Sequence, residues 1–133
     1  MKIAFYKGSP TIRDQIIRLV TGFPYSRCVI LFDDMYASAF PREGVTFKET
    51  DKLDLSGWDV YELIVSSVQV MGAQAMFNIY EGHPYPHGGA ILAWLSVDSA
   101  LTASKICGLA CGLTCSVRSP GHLFTILQEN ALI

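Results

Sequence analysis

Charge is scarce in this chain. Only 17% of its residues are Asp, Glu, Lys or Arg, against about a quarter in ordinary globular domains. No run of Lys or Arg occurs, so the basic footprint that nucleic-acid binding needs is missing. Twelve carboxylates nearly balance ten cations for a formal net charge of -2, which also argues against an acidic DNA mimic. Long apolar runs are missing too. The greasiest stretch, Gly88 to Leu101, is interrupted by Asp98 and falls short of the roughly 20 residues a membrane span requires. The opening Met1-Lys2-Ile3-Ala4-Phe5-Tyr6 reads as a strand and lacks the apolar core of a secretory signal. A cytoplasmic location is therefore expected, with Cys28, Cys107, Cys111 and Cys115 as free thiols. No Cys-x2-Cys pair exists, so the usual zinc spacing is absent.

Apolar residues are plentiful. They make up 50% of the 133 residues, and the mean hydropathy is +0.31. That length suits one domain, residues 1–133, with one core. Low charge combined with high apolar content points to apolar surface used for a protein partner.

The hydrophobic pattern gives a β-α-β-β-β-β order followed by helices. Residues 2–6 form a strand. Ser9-Pro10 has the form of an N-cap followed by proline, and Ile12, Ile16, Leu19 and Val20 recur at helical spacing. Gly22 and Pro24 end that helix. Residues 27–33 are a buried strand, Asp33-Asp34 a turn, Tyr36 to Phe40 a second strand of a meander and Val45 to Lys48 a third. Residues 49–57 read as a polar loop and Trp58 to Val65 as another strand. Val68, Met71, Ala75, Met76, Ile79 and Tyr80 fit one helical face behind a Ser66 or Ser67 cap. Glu81 to Gly89 is dense in turn residues. Ala90 to Leu95 and Ser99 to Leu113 are further helices, and Ser119-Pro120 starts the last one, with Leu123, Phe124 and Leu127 on its apolar face.

Six local motifs accompany this order. They are Pro24-Tyr25-Ser26-Arg27-Cys28-Val29-Ile30-Leu31 with Asp33-Asp34; Ser38-Ala39-Phe40-Pro41 with Gly44-Val45; Asp59-Val60-Tyr61-Glu62; Gly82-His83-Pro84-Tyr85-Pro86; Cys107-Gly108-Leu109-Ala110-Cys111; and Ser119-Pro120. In this order and spacing they resemble the circularly permuted NlpC/P60 proteins, a papain-like group common in bacteriophages. The resemblance implies an α+β papain-like fold, with an antiparallel sheet of about five strands packed against helices. It also implies a thiol nucleophile at Cys107 and a catalytic base at position 27.

The base is missing. A thiol hydrolase needs an imidazole beside its cysteine to take the thiol proton and later return it to the leaving group. The family's histidine follows Pro-Tyr-Ser, and this chain has Arg27 there. A guanidinium with a pKa above about 12 cannot shuttle a proton near neutrality, although it can lower the pKa of a nearby thiol. The family's glutamate two residues on is Val29, and the Ser-Glu after the nucleophile is Gly108-Leu109. Cys107 alone keeps its matching position.

A vestigial active site is the leading expectation. The chain then acts as a bacteriophage-type protein that binds another protein, a host factor in the host cytoplasm. An active hydrolase of amides or esters remains open, with Cys107 as nucleophile and His83 or His87 as relocated base. His122, at the start of the last helix, is a third histidine to weigh. A virion structural component is a third reading. No cofactor or metal is expected. Cys107, Cys111 and Cys115 fall on one helical face among small residues and pack as small hydrophobes. His83 and His87 lie in a proline-rich loop without a third ligand nearby. Arg27, where the family has its base, pairs with a carboxylate such as Glu62 or anchors a partner.

Overall fold

The computed structural model describes residues 1–8, 11–40, 44–82, 113, 117 and 119–133. Five strands and three α-helices run through them: β1 (Lys2–Tyr6), α1 (Ile12–Thr21), β2 (Arg27–Leu31), β3 (Met35–Phe40), β4 (Gly44–Glu49), β5 (Trp58–Glu62), α2 (Ser67–Tyr80) and α3 (Pro120–Glu129). A single turn of 3-10 helix, Thr50–Lys52, interrupts the loop read as polar between β4 and β5. No described helix is long and apolar enough to cross a membrane.

The strands form one antiparallel sheet in the order β4-β3-β2-β1-β5. The expected α+β class with about five antiparallel strands is therefore observed. The meander β2-β3-β4 follows from turn chemistry: Asp33-Asp34 closes a tight reversal in which Phe32 N–H donates to the Met35 carbonyl at 2.8 Å. β1 lies between β2 and β5, pairing Phe5 with both Cys28 and Asp59, and Tyr6 with both Arg27 and Trp58. Because side chains alternate along a strand, this register sorts them onto two faces. Ile3, Phe5, Cys28, Ile30 and Ala37 enter the main core with Phe77 of α2 and Leu123, Ile126 and Leu127 of α3. Ala4, Val29, Leu31 and Tyr36 form a second buried cluster on the opposite face, against Leu53 and Trp58.

The first two helices sit differently from the periodicity-based expectation. Thr11 caps α1 in a capping box with Asp14; the expected Ser9-Pro10 start lies outside the described residues. The stripe Ile12, Ile16, Leu19 and Val20 does not face the core. Ile12, Leu19 and Val20 are strongly exposed and Ile16 is half-buried, while Asp14 and Ile17 are buried. Helix α1 thus docks by its polar side, because Asp14 finds its hydrogen-bond donors in the body of the protein. In α2, Ser66 forms the cap and the inward residues are Ala73 and Phe77, with Val70 and Met76 half-buried. The expected face of Val68, Met71, Ala75 and Ile79 points outward. An apolar helix with residues on all sides offers two candidate faces, and sequence spacing does not choose between them. After α2, Gly82 N–H bonds the Val45 carbonyl at 2.9 Å and so ties the helix end to β4.

Helix α3 starts as expected, with Ser119 capping the His122 amide and Pro120 in the first turn. Its first turn lies against the segment that leads into β2. A Cβ on Gly121 would fall 2.1 Å from Phe23 Cβ, a backbone approach that only glycine permits. Gly121→Ala is expected to destabilise the fold by about 1–3 kcal/mol through overpacking. Urea denaturation of the variant checks this, and an unchanged midpoint would show that Phe23 moves aside freely.

Candidate functional site around Arg27

Local geometry delivers Arg27 to the mouth of the sheet. Helix α1 ends at Gly22 in the left-handed conformation, φ 70°. The chain then reverses through Phe23 and Pro24. Ser26 N–H bonds the Tyr6 carbonyl at 3.1 Å and starts the β1-β2 ladder. Arg27 is the first residue of β2 and pairs with Tyr6. Alternation puts its side chain on the second face, beside Tyr6 and Trp58. The guanidinium carbon lies 5.4 Å from the centre of the Tyr6 ring, and that ring lies 5.0 Å from the ring of Trp58. A cation over a ring face is an attractive pairing.

The guanidinium also grips Asp14 side-on. Arg27 Nε donates to Asp14 Oδ1 at 3.2 Å and Nη2 donates to Oδ2 at 3.2 Å. Three further bonds reach the same carboxylate. Ser26 Oγ donates at 2.8 Å, Thr11 Oγ1 at 2.7 Å and the Thr11 amide at 3.2 Å. Asp14 is 1% exposed, whereas the Arg27 side chain is 53% exposed. Burial works against the Asp14 charge. The bonds from Thr11 and Ser26 and the charge of Arg27 outweigh it and hold the carboxyl below its ordinary value. The charge on Asp14 is thus satisfied from three sides, and the outer flank of Arg27 remains open to solvent.

A second polar group lies on the core side of the sheet. Asp59 takes an ion pair from Lys7 Nζ at 2.6 Å and a hydrogen bond from Tyr25 Oη at 2.9 Å. The Lys7 bond is the main cause that lowers the Asp59 carboxyl. Burial, with the Tyr61 and Asp59 neighbours, raises the Tyr25 phenol far above its usual value, so Tyr25 stays a hydrogen-bond donor. Tyr25 packs in an aromatic cluster with Phe5, Tyr61 and Phe124, with ring centres 5.0–6.2 Å apart. This cluster fastens α3 and the residue-25 segment to β1 and β5.

Neither arrangement supplies a general base. Arg27 holds its proton at any accessible pH. Both carboxylates are depressed and already engaged. Cys28 is buried in the main core. No cluster of three metal-ligating side chains occurs among the described residues. Of the expected site residues, Arg27 is at the head of β2 and His122 in the first turn of α3. Cys107, His83 and His87 lie outside the described residues, as do Cys111 and Cys115. The expected pairing of Arg27 with Glu62 does not form. Glu62 sits opposite Lys2 at one end of β1, and Arg27 sits opposite Tyr6 at the other. Asp14 is the partner that sequence reasoning missed. Its signal was present: Asp14 is the only carboxylate in the first 32 residues, and it stands three residues after a capping threonine.

Fold and site together define an α+β domain whose antiparallel sheet is joined to its first helix by a buried carboxylate-arginine pair. No family model, no curated protein and no solved structure matches the chain.

Removing one partner of such a pair costs more than the pair's net worth, because the other is left uncompensated. Asp14→Asn is expected to cost about 3 kcal/mol. Arg27→Ala is expected to cost about 1–2 kcal/mol, since Thr11 and Ser26 still serve the carboxylate. The pH dependence has a definite sign. The folded-state value of Asp14 lies below its unfolded value, so its charge stabilises the fold above the ordinary carboxylate range. That contribution disappears as pH falls through the lower folded value. Denaturation midpoints measured at neutral pH and at about pH 4 and 3 should fall for the native chain, and less steeply for Asp14→Asn. Identical acid slopes for both proteins would sink this assignment. Asp59 and Asp54, also depressed, contribute to the slope that remains.

Proposed function

We propose that this chain is a papain-like domain of the permuted NlpC/P60 kind, of bacteriophage type, that has lost hydrolytic chemistry and acts by binding another protein, a host factor in the host cytoplasm. The observation that carries the reading is the employment of Arg27. The residue at the family's base position cannot shuttle a proton, and its guanidinium is committed to Asp14 and Tyr6. Arg27 has a structural task there, joining α1 to the sheet, which gives a physical reason for an arginine in place of a base. The five-stranded antiparallel sheet packed against helices is the architecture the reading needs.

Binding is favoured by the surface. Helix α1 turns Ile12, Leu19 and Val20 outward, and α2 turns out Val68, Met71 and Ile79. Apolar stripes of this kind on a small domain mark contact surfaces. In this reading Cys107 is a retired nucleophile, and His83 and His87 are loop residues without a catalytic role.

The test is the alkylation rate of Cys107 by iodoacetamide between pH 5 and 9, read by peptide mass spectrometry against Cys107→Ala. A slow rate that rises only towards the free-thiol pKa of about 8.5 is expected. Rapid alkylation already near pH 6 would mean an activated thiolate. It would overturn the inactive reading in favour of a cysteine hydrolase with His83 or His87 as base.

A further inference from the structure

The three helices are held to the sheet by different means. Helix α3 puts Leu123, Ile126 and Leu127 into the main core, and α2 puts Ala73 and Phe77 there. Helix α1 puts no residue into either apolar cluster of described residues. It buries Asp14 and Ile17, and its larger apolar stripe, Ile12, Leu19 and Val20, already stands in solvent. Polar ties hold it instead. Ser26 and Arg27 donate to Asp14, and Arg18 Nη2 donates to the Gly8 carbonyl at 3.1 Å.

Ties of this kind are cheap to open as a set. Parting Asp14 from Arg27 loses their attraction but returns both charges to water, which recovers the desolvation penalty of the buried pair. The apolar stripe loses nothing on release, because it is uncovered in the docked position too. One group gains outright. Arg18 Nε is shut off from water and finds no hydrogen-bond partner among the described residues, a cost that release removes. The chain also carries a turning point. Gly22 ends α1 at φ 70° with open space around it. The next residue, Phe23, lies against Gly121 of α3 and so belongs to the body.

We propose that α1 is a releasable strap. It opens from the sheet as one unit, turning at Gly22, while the sheet and the other two helices stay folded. The Asp14–Arg27 pair is its latch, and release bares Ser26, Arg27 and Asp14 together. The inference does not depend on the hydrolase ancestry or on any host partner.

Native-state hydrogen exchange of the full chain, in urea below the unfolding transition, tests it. Exchange through a local opening depends little on urea, whereas exchange through global unfolding depends on it steeply. A helix of 10 residues cut off from its contacts does not persist, so opening exposes the amides of α1 together. The amides from Gln15 to Gly22 are therefore expected to share one level of protection. That level should lie at least about a hundredfold below that of the β1 amides at the centre of the sheet, and urea should barely change it. Protection and urea dependence equal to those of β1 would overturn the proposal, because α1 would then open only when the whole fold does. Protection graded from one end of α1 to the other would also overturn it, since that is fraying and not release of a unit. Arg27→Ala tests the latch. It should lower the protection of the α1 amides by about tenfold and keep their indifference to urea. Unchanged protection of α1 in this variant would show that Arg27 does not hold the strap.

Discussion

The Asp14 carboxylate is the constraint on which the described structure turns. It is almost fully buried and charged, and a buried charge persists only where donors surround it. Those donors come from three places: the residue before α1, the residue before β2, and the head of β2 itself. Meeting them fixes the angle at which α1 leaves β1 and the point at which the chain rejoins the sheet. The same demand orients the helix. With Asp14 turned inward, Ile12, Leu19 and Val20 must turn outward, so one polar contact decides where a whole apolar stripe is shown.

The consequence for chemistry is direct. In the papain-like reading proposed above, position 27 is where a base would stand, and a side chain that completes a structural ion pair occupies it. An imidazole has two nitrogens and a ring. It cannot reproduce the side-on, two-bond grip of a guanidinium on a carboxylate. Holding α1 through Asp14 and running base catalysis from position 27 are therefore competing uses of one residue. On the other face of the sheet, Asp59 is likewise engaged by Lys7 and Tyr25, and the aromatic cluster around Tyr25 anchors α3. Polar groups at both faces of this end of the sheet serve to fasten elements together.

Low charge and high apolar content find their explanation on the helices. α1 and α2 each bury one side and show an apolar stripe on the other. Helix α2 carries no charged residue along Ser67–Tyr80.

The succession of strands along the chain was legible in the sequence, but the place of β1 between β2 and β5 was not. Continuous β-type runs at residues 27–33 and 58–65, with turn residues at Asp33-Asp34, point to an antiparallel meander by local chemistry alone; the strands end earlier, at Leu31 and Glu62. The Ser119-Pro120 start of α3 was equally plain, because cap and proline act within one turn. The helix faces were not legible. Periodicity marks an apolar stripe but says nothing of which side meets the core, and at α1 the polar side did. The partner of Arg27 was hidden for a related reason. Glu62 and Asp14 are both plausible carboxylates by type; strand register puts Glu62 far along β1 from Arg27, and the docking of α1 brings Asp14 within bonding distance. Sequence by itself determined the five strands, the α+β class and the residue type at position 27, since these follow from residue type and near neighbours. Only the tertiary structure decided what Arg27 holds and which apolar faces stay outside, because both depend on where a buried charge finds its donors.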